Sequence, residues 1–235
     1  MNVLAIDTSN YTLGVSIINE EKVIGEYITN LKKNHSIRVM PAIEGLLKDC
    51  DMTPQNIDKI VVAQGPGSYT GVRIGVTIAK TLAWSLQVPL VGVSSLKVLA
   101  ASHLFYNGII CPLFDARRSQ VYRGLYRYDQ TELVSVVEDR LVLLPDLLED
   151  LKSRKEPVLF VGADVGIHRE LITQELGEQA QFVPITHQNP RPSELAYMGL
   201  NKEGVSGDAI HAFVPQYLRL AEAEAKWREA NENDE

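Results

Sequence analysis

Short apolar runs separated by turn residues open the chain. Val3-Leu4-Ala5-Ile6 runs into Asp7-Thr8-Ser9-Asn10, Gly14 to Ile18 is a second run, and Asn19-Glu20-Glu21-Lys22 divides it from a third, Val23 to Thr29. Runs of this length joined by short turns predict an antiparallel meander of three strands. From Ser36 to Cys50 the period changes, with Val39, Met40, Ile43, Leu46, Leu47 and Cys50 at helical spacing. Ile60 to Ala63 reads as a buried strand, followed by the glycine-rich stretch AQGPGSYTGVRIGV, a helix from Val72 to Gln87, and a strand from Pro89 to Val93. The predicted order is βββαβαβ.

The second half repeats this order in a worn form. Ile109 to Phe114 runs into Asp115 as the first strand runs into Asp7, and Val121 to Tyr128 and Leu133 to Val137 supply two further strands. A helix from Pro145 to Lys152, a strand from Val158 to Val161, a helix from Ile167 to Leu176, a strand from Phe182 to Ile185 and a helix from Ser193 to Lys202 follow. Gly162-Ala163-Asp164 stands in the place of the glycine-rich loop. The pattern predicts an α/β chain with the duplicated ribonuclease-H-like fold of actin, sugar kinases and the Hsp70 ATPase. Its lobes are expected at 1–104 and 105–220, with a charged tail at 221–235.

Within that fold two clusters are candidates for phosphate chemistry. Asp7, Thr8 and Ser9 end the first strand, where a carboxylate orients a metal-bound nucleotide or closes an Asx turn on its own backbone. Gly65, Gly67 and Ser68 form either a nest of N–H groups around a phosphate or a strand-to-helix turn capped by Ser68 or Thr70. No G-K-[ST] follows, so this is not a P-loop. Asp164 is expected as a turn or N-cap residue. Of Arg117 and Arg118 at most one is placed to meet a phosphate or carboxylate, the alternative being a structural pairing with Asp115 or Glu138, and Tyr217 and Arg219 are expected to anchor a last helix.

Composition narrows the choice. A net charge of −7 argues against a chain that grips nucleic acid unaided. The two cysteines, Cys50 and Cys111, have no ligand-like spacing, and no two of the five histidines stand four apart. No apolar run reaches the roughly 20 residues of a membrane span. A soluble, cytosolic protein without a metal or other cofactor is expected.

Longer stretches carry a resemblance. AIDTS, the helix start His35 to Pro41, GPGSYTGVRIGV, Asp115-Ala116-Arg117-Arg118-Ser119-Gln120-Val121-Tyr122 and Pro215-Gln216-Tyr217-Leu218-Arg219 occur together and in order. Together they resemble the bacterial TsaB (YeaZ) family, with small departures at Tyr69, Val72 and Gln120. The resemblance implies a noncatalytic partner in making threonylcarbamoyladenosine on tRNA. It implies pairing with the transferase TsaD, with the ATPase TsaE, and with itself when TsaD is absent, with tRNA met only indirectly. TsaD-like chains carry an H-x-x-x-H metal pair where Ser95 and Leu99 stand here, and Gly162 offers a single glycine where a nucleotide site needs a pair. On this reading the glycine-rich loop survives as a tight turn.

The implied work then falls to a surface. The helices from Ser36 and from Val72 carry more apolar residues than one buried stripe requires. The surplus is met if the two helices bury each other or if they meet a subunit. The resemblance favours the subunit, through Met40, Ile43, Leu47, Ile74, Ile78 and Leu82, with Met40 and Leu47 expected off the inward stripe of Val39, Ile43, Leu46 and Cys50. An ATP-dependent small-molecule kinase and a glycoprotease-like metallopeptidase are the alternatives.

Overall fold

The computed structural model describes residues 1–31 and 34–219. The expected tail at 221–235 lies outside the described residues. The first lobe comprises β1 (Val3–Asp7), β2 (Leu13–Ile18), β3 (Val23–Thr29), α1 (Val39–Asp49), β4 (Lys59–Gly65), α2 (Tyr69–Leu86), β5 (Leu90–Ser94) and α3 (Ser95–Ala101). The second comprises β6 (Ile109–Asp115), β7 (Gln120–Asp129), β8 (Glu132–Leu143), α4 (Leu144–Arg154), β9 (Val158–Val161), α5 (Val165–Leu176), β10 (Ala180–Phe182) and α6 (Pro192–Leu200). The sheets run β3-β2-β1-β4-β5 and β8-β7-β6-β9-β10, the same order twice. In each, an antiparallel meander joins two parallel strands. This is the duplicated ribonuclease-H-like fold.

Several boundaries differ from the pattern: α1 and α2 begin at Val39 and Tyr69 rather than Ser36 and Val72, α3 adds a helix to the predicted order, and β8 and β10 end elsewhere. Strand β8 continues to Leu143, because Arg140 to Leu143 pair with Gln120 to Arg123 beyond a register shift. The charged run Glu138-Asp139-Arg140 hides that continuation from a reading by apolar alternation. Strand β10 stops at Phe182, and Ile185–His187 is a 3-10 turn. Pro184, with no N–H to give a ladder, separates the two.

The strands of the first sheet are buried on both faces, so they read as continuous apolar runs. Leu4, Ile6, Ile60 and Val62 face α1 and α2, while Val3, Ala5 and Val61 face α6. Helix α6 follows the second repeat yet packs on the first sheet, and α3 follows the first repeat yet packs its Leu96, Leu99 and Ala100 among Ile110, Phe114 and Leu159 of the second. This exchange welds the lobes. Lys59 seals the joint: its buried Nζ donates to the carbonyl oxygens of Leu200 and Lys202, 2.7 and 2.9 Å away, at the C-terminal end of α6.

One expectation about α1 fails. Val39, Ile43 and Leu46 turn inward as anticipated, but Leu47 joins them at 5% exposure, whereas Cys50 is only half-buried. The connection from α1 to β4 supplies the cover, since Met52 and Ile57 belong to the same apolar cluster as Leu47. Leu47 is therefore core, and so is Ile43.

Candidate functional site

The Asp7 turn and the glycine-rich loop touch. Asp7 Oδ1 accepts from the Ser9 backbone N–H at 2.8 Å and from its hydroxyl at 2.7 Å, which is an Asx turn. Burial pushes the Asp7 carboxyl above its usual range, and the Ser9 hydrogen bonds only partly oppose it. Its buried Oδ2 has no hydrogen-bond partner among the described residues. The Ser68 backbone N–H donates to the Ser9 carbonyl at 2.7 Å, and the Thr8 hydroxyl donates to the Gly71 carbonyl at 2.7 Å. Ser68 also caps α2, accepting from the Gly71 N–H at 3.3 Å. A Cβ on Gly67 would lie 2.1 Å from the Ser9 carbonyl oxygen, so the loop needs glycine for close approach.

Three N–H groups around the loop are already bonded within the chain. A phosphate nest needs free N–H groups converging on one point. Here Ser68 N–H is taken by Ser9, Gly71 N–H by Ser68 Oγ, and Gly65 N–H by Ser95 Oγ at 3.1 Å. Ser95 is thus a buried hydrogen-bond acceptor, and Leu99 is part of the second lobe's core. No group of three or more His, Cys, Asp or Glu side chains among the described residues is placed to hold a metal.

The facing turn of the second lobe is built differently. Asp115 places Oδ1 3.0 Å from His168 Nε2 and accepts the Arg117 backbone N–H on Oδ2 at 3.3 Å. Asp164 stands at the N-cap of α5 but makes no capping bond with its side chain. Asp164 thus takes the expected turn and N-cap position, while its Oδ2 accepts the Asp115 N–H at 3.0 Å. Burial, with neighbouring Asp115 adding to it, pushes the Asp164 carboxyl upward. Asp115 thus bonds His168 and the Arg117 backbone.

Arg117, Arg118 and Ser119 all adopt left-handed backbone, at φ 63°, 53° and 58°. Each such residue costs about 1–3 kcal/mol and persists only where its surroundings fix it. The fixings are visible. Gln120 N–H donates to the Arg117 carbonyl at 3.0 Å, Leu144 N–H to the Ser119 carbonyl at 2.8 Å, and the Arg219 guanidinium to the Ala116 carbonyl at 3.1 Å. Arg219 also bonds Gln120 Oε1.

Between the two turns lies an open cavity of about 940 Å³. Residues 216–219 line one side of it. The Gln216 N–H donates to the Gln64 carbonyl at 2.8 Å, and Tyr217 stacks on Tyr69 with ring centroids 5.1 Å apart. Arg73 donates to the Tyr217 hydroxyl at 2.8 Å while its guanidinium lies 4.5 Å from the Tyr69 ring centre. Tyr217 and Arg219 therefore anchor this segment; the helix expected after it lies outside the described residues.

The other candidate surface is the outer side of α1 and α2. Met40 is exposed, and Ile74, Ile78 and Leu82 are half-buried. The 3-10 turn His35–Ile37 packs against both helices and adds Ile37, 69% exposed, which the helical pattern did not single out. Sequence reasoning also missed Ser94 and Tyr126, which both donate to the half-buried carboxylate of Asp139 between the lobes. No sequence spacing links these three. No described helix is long and apolar enough to cross a membrane.

Fold and site together define a two-lobed chain with a duplicated ribonuclease-H-like fold, whose glycine-rich loop is tied to the turn after β1 by the Ser68–Ser9 hydrogen bond. A family profile described as "TsaD: tRNA N6-adenosine threonylcarbamoyltransferase" matches residues 22–227. The chain is 58% identical over 230 residues to the tRNA threonylcarbamoyladenosine biosynthesis protein TsaB of Bacillus subtilis, covering 98% of this chain and 99% of that one. It is 31% identical over 152 residues to TsaB of Escherichia coli, covering 64% and 65% of the two chains. YeaZ from Pseudomonas aeruginosa superposes with a TM-score of 0.75 at 24% identity, covering 92% of this chain and 99% of that one, a likeness of fold. This chain belongs to the TsaB (YeaZ) family of tRNA threonylcarbamoyladenosine biosynthesis proteins.

Proposed function

We propose that this chain takes part in threonylcarbamoyladenosine synthesis on tRNA in the cytoplasm as a noncatalytic subunit that docks on TsaD. The observation that carries the reading is the full-length 58% identity to a relative named for that pathway. The noncatalytic role is supported by the closure of the glycine-rich loop on Ser9 and by the core positions of Ser95 and Leu99. The docking surface is the α1–α2 side, centred on Met40, Ile37, Ile74, Ile78 and Leu82, and it serves a second copy of the chain when TsaD is absent. TsaE is a further partner of the pair. An exposed apolar patch of several hundred Å² is rare on a protein that stays monomeric.

The test is reconstitution. The purified chain alone should release no phosphate from ATP with magnesium, and it should raise tRNA modification when TsaD and TsaE are supplied. An ATP turnover that disappears in Asp7→Ala would overturn the noncatalytic reading. Unchanged modification without this chain would overturn its role in the pathway.

A further inference from the structure

The second lobe buries a cation that the chain leaves without a full set of partners. Arg123, on β7, is 7% exposed, and arginine is almost never buried to this extent unless paired. Its Nη1 donates to the Glu138 carbonyl at 3.2 Å, while its buried Nε has no hydrogen-bond partner among the described residues. Asp150, the carboxylate whose charge reaches Arg123, is held instead by Arg154, whose Nε and Nη2 each donate to it at 3.1 Å. Arg140, exposed on the edge strand β8, stands directly opposite Arg123 in the strand register. Burial lowers the Arg123 pKa, and the charges of Arg140 and Arg154 act in the same sense, yet an arginine stays protonated. Cys111 beside it supplies no counter-charge, because burial pushes its thiol up to about 12. The charge of Glu138 is felt by Tyr126 and Asp139 rather than by Arg123. Three guanidinium groups therefore stand against one carboxylate, an excess of two positive charges at the open edge of the sheet.

We propose that Arg123, Arg140 and Arg154 form a binding site for a dianionic phosphate group, either the free ion or the end of a small phosphoester. A buried guanidinium with an idle N–H is costly, and an anion that accepts from it removes that cost. The planar fork of arginine matches phosphate oxygens with parallel charge-assisted hydrogen bonds. Residues directly opposite on paired strands have their Cβ atoms roughly 5 Å apart, so one phosphate can meet both Arg123 and Arg140. Arg123 closes the buried end of the site and Arg140 opens it to solvent. A dianion neutralises the excess of two charges, whereas a carboxylate or a phosphodiester neutralises only half of it. Asp150 is already counted in that balance, so its repulsion is outweighed. The site shares no residue with the α1–α2 side, and it stands or falls independently of docking there.

The experiment is calorimetric titration of the full chain with inorganic phosphate, in a mildly alkaline chloride buffer of fixed ionic strength. The parent should bind a single phosphate saturably. Arg140→Ala changes an exposed position of the edge strand, so it should stay folded and bind about tenfold more weakly or worse, the loss of one charge-assisted contact. Arg123→Met should abolish binding. Because it removes a buried charge, its denaturant midpoint in phosphate-free buffer should equal or exceed the parent's, and added phosphate should raise the parent's midpoint alone. If Arg123→Met does not fold, Arg140→Glu carries the test: a carboxylate opposite Arg123 should fill the site from within, abolishing phosphate binding in a folded chain. Glycerol phosphate, titrated in parallel, tells the two sources apart: tighter binding than inorganic phosphate supports a phosphoester, weaker binding supports the free ion. Absence of saturable binding of either by the folded parent overturns the proposal, as does equal binding by folded Arg140→Ala or Arg140→Glu. A folded Arg123→Met chain with a lowered midpoint in phosphate-free buffer would show that the chain satisfies Arg123 by itself, which overturns it too. Acetate binding as tightly as phosphate would mark a carboxylate site, and displacement of phosphate by single-stranded RNA would mark a phosphodiester site; either result sinks the assignment.

Discussion

Gly67 shows how a single missing side chain shapes this site. A methyl group there would enter the space of the Ser9 carbonyl oxygen, 2.1 Å away, and neither backbone can move without opening the Ser68–Ser9 hydrogen bond. Gly67→Ala should cost about 1–3 kcal/mol by overpacking, and Gly67→Val more, as read from the denaturant midpoint. An unchanged midpoint would mean that the loop is not pressed on the turn. His103 makes a second residue-scale case. Burial, then its neighbour His187, lowers its pKa from 6.5 to about 4. Between those values the unfolded ring binds a proton that the folded ring refuses, so stability is full above pH 6.5 and falls as the pH drops toward 4. His103→Gln should remove that part of the acid sensitivity, seen as a smaller fall in melting temperature across the same window.

Helix α1 divides its apolar residues between two uses that one helical pattern cannot separate. Leu47 and Met40 both lie off the stripe of Val39, Ile43 and Leu46, yet only Met40 faces solvent. Leu47→Glu should therefore unfold the first lobe, as a charge buried without a partner does. Met40→Glu should leave the unfolding free energy within about 0.5 kcal/mol of the parent. It should abolish self-association in light scattering and TsaD capture together, because desolvating an unpaired charge costs several kcal/mol at an interface. Retained capture by a folded Met40→Glu chain would place the docking surface elsewhere. The glycine-rich loop and α1 are comparable in this respect. Each carries a legible periodicity, and each needs its neighbours to decide what the periodicity is for.

The two repeats form one body because each gives its last helix to the other's sheet. The joint depends on α3, on α6 and on the buried amine of Lys59 at the end of α6. Lys59→Met keeps the length and apolar stem but leaves buried carbonyls without a donor. A loss of about 2–4 kcal/mol is expected from hydrogen bonds of this charged kind. The parent should unfold in one transition by both circular dichroism and tyrosine fluorescence. If Lys59→Met instead splits it into two, the lobes are coupled chiefly through that amine. If neither the midpoint nor the shape changes, the amine is incidental to the joint.

Strand and helix order, the duplication, and the motifs shared with the TsaB family are all set by local pattern. Alternation, helical spacing and turn chemistry act over a few residues, and both sheets obey them. The Asx turn at Asp7 and the cap at Ser68 were legible for the same reason, since each bond spans two or three residues. What pattern left undecided involves partners far apart in the chain. The Ser9 carbonyl meets Gly67 across 58 residues of sequence, Lys59 reaches α6, and the Asp164 carboxylate turns from its own helix to the Asp115 N–H. Leu47 became core only because the connection after α1 folds back over it. Arg117 and Arg118 acquired their common place at the cleft through a left-handed turn held by Arg219 from the far end of the described chain. Local pattern sets which elements form and which residues they offer. Which offered residues are buried, bonded or left facing a partner is decided by packing between segments that no sequence window contains.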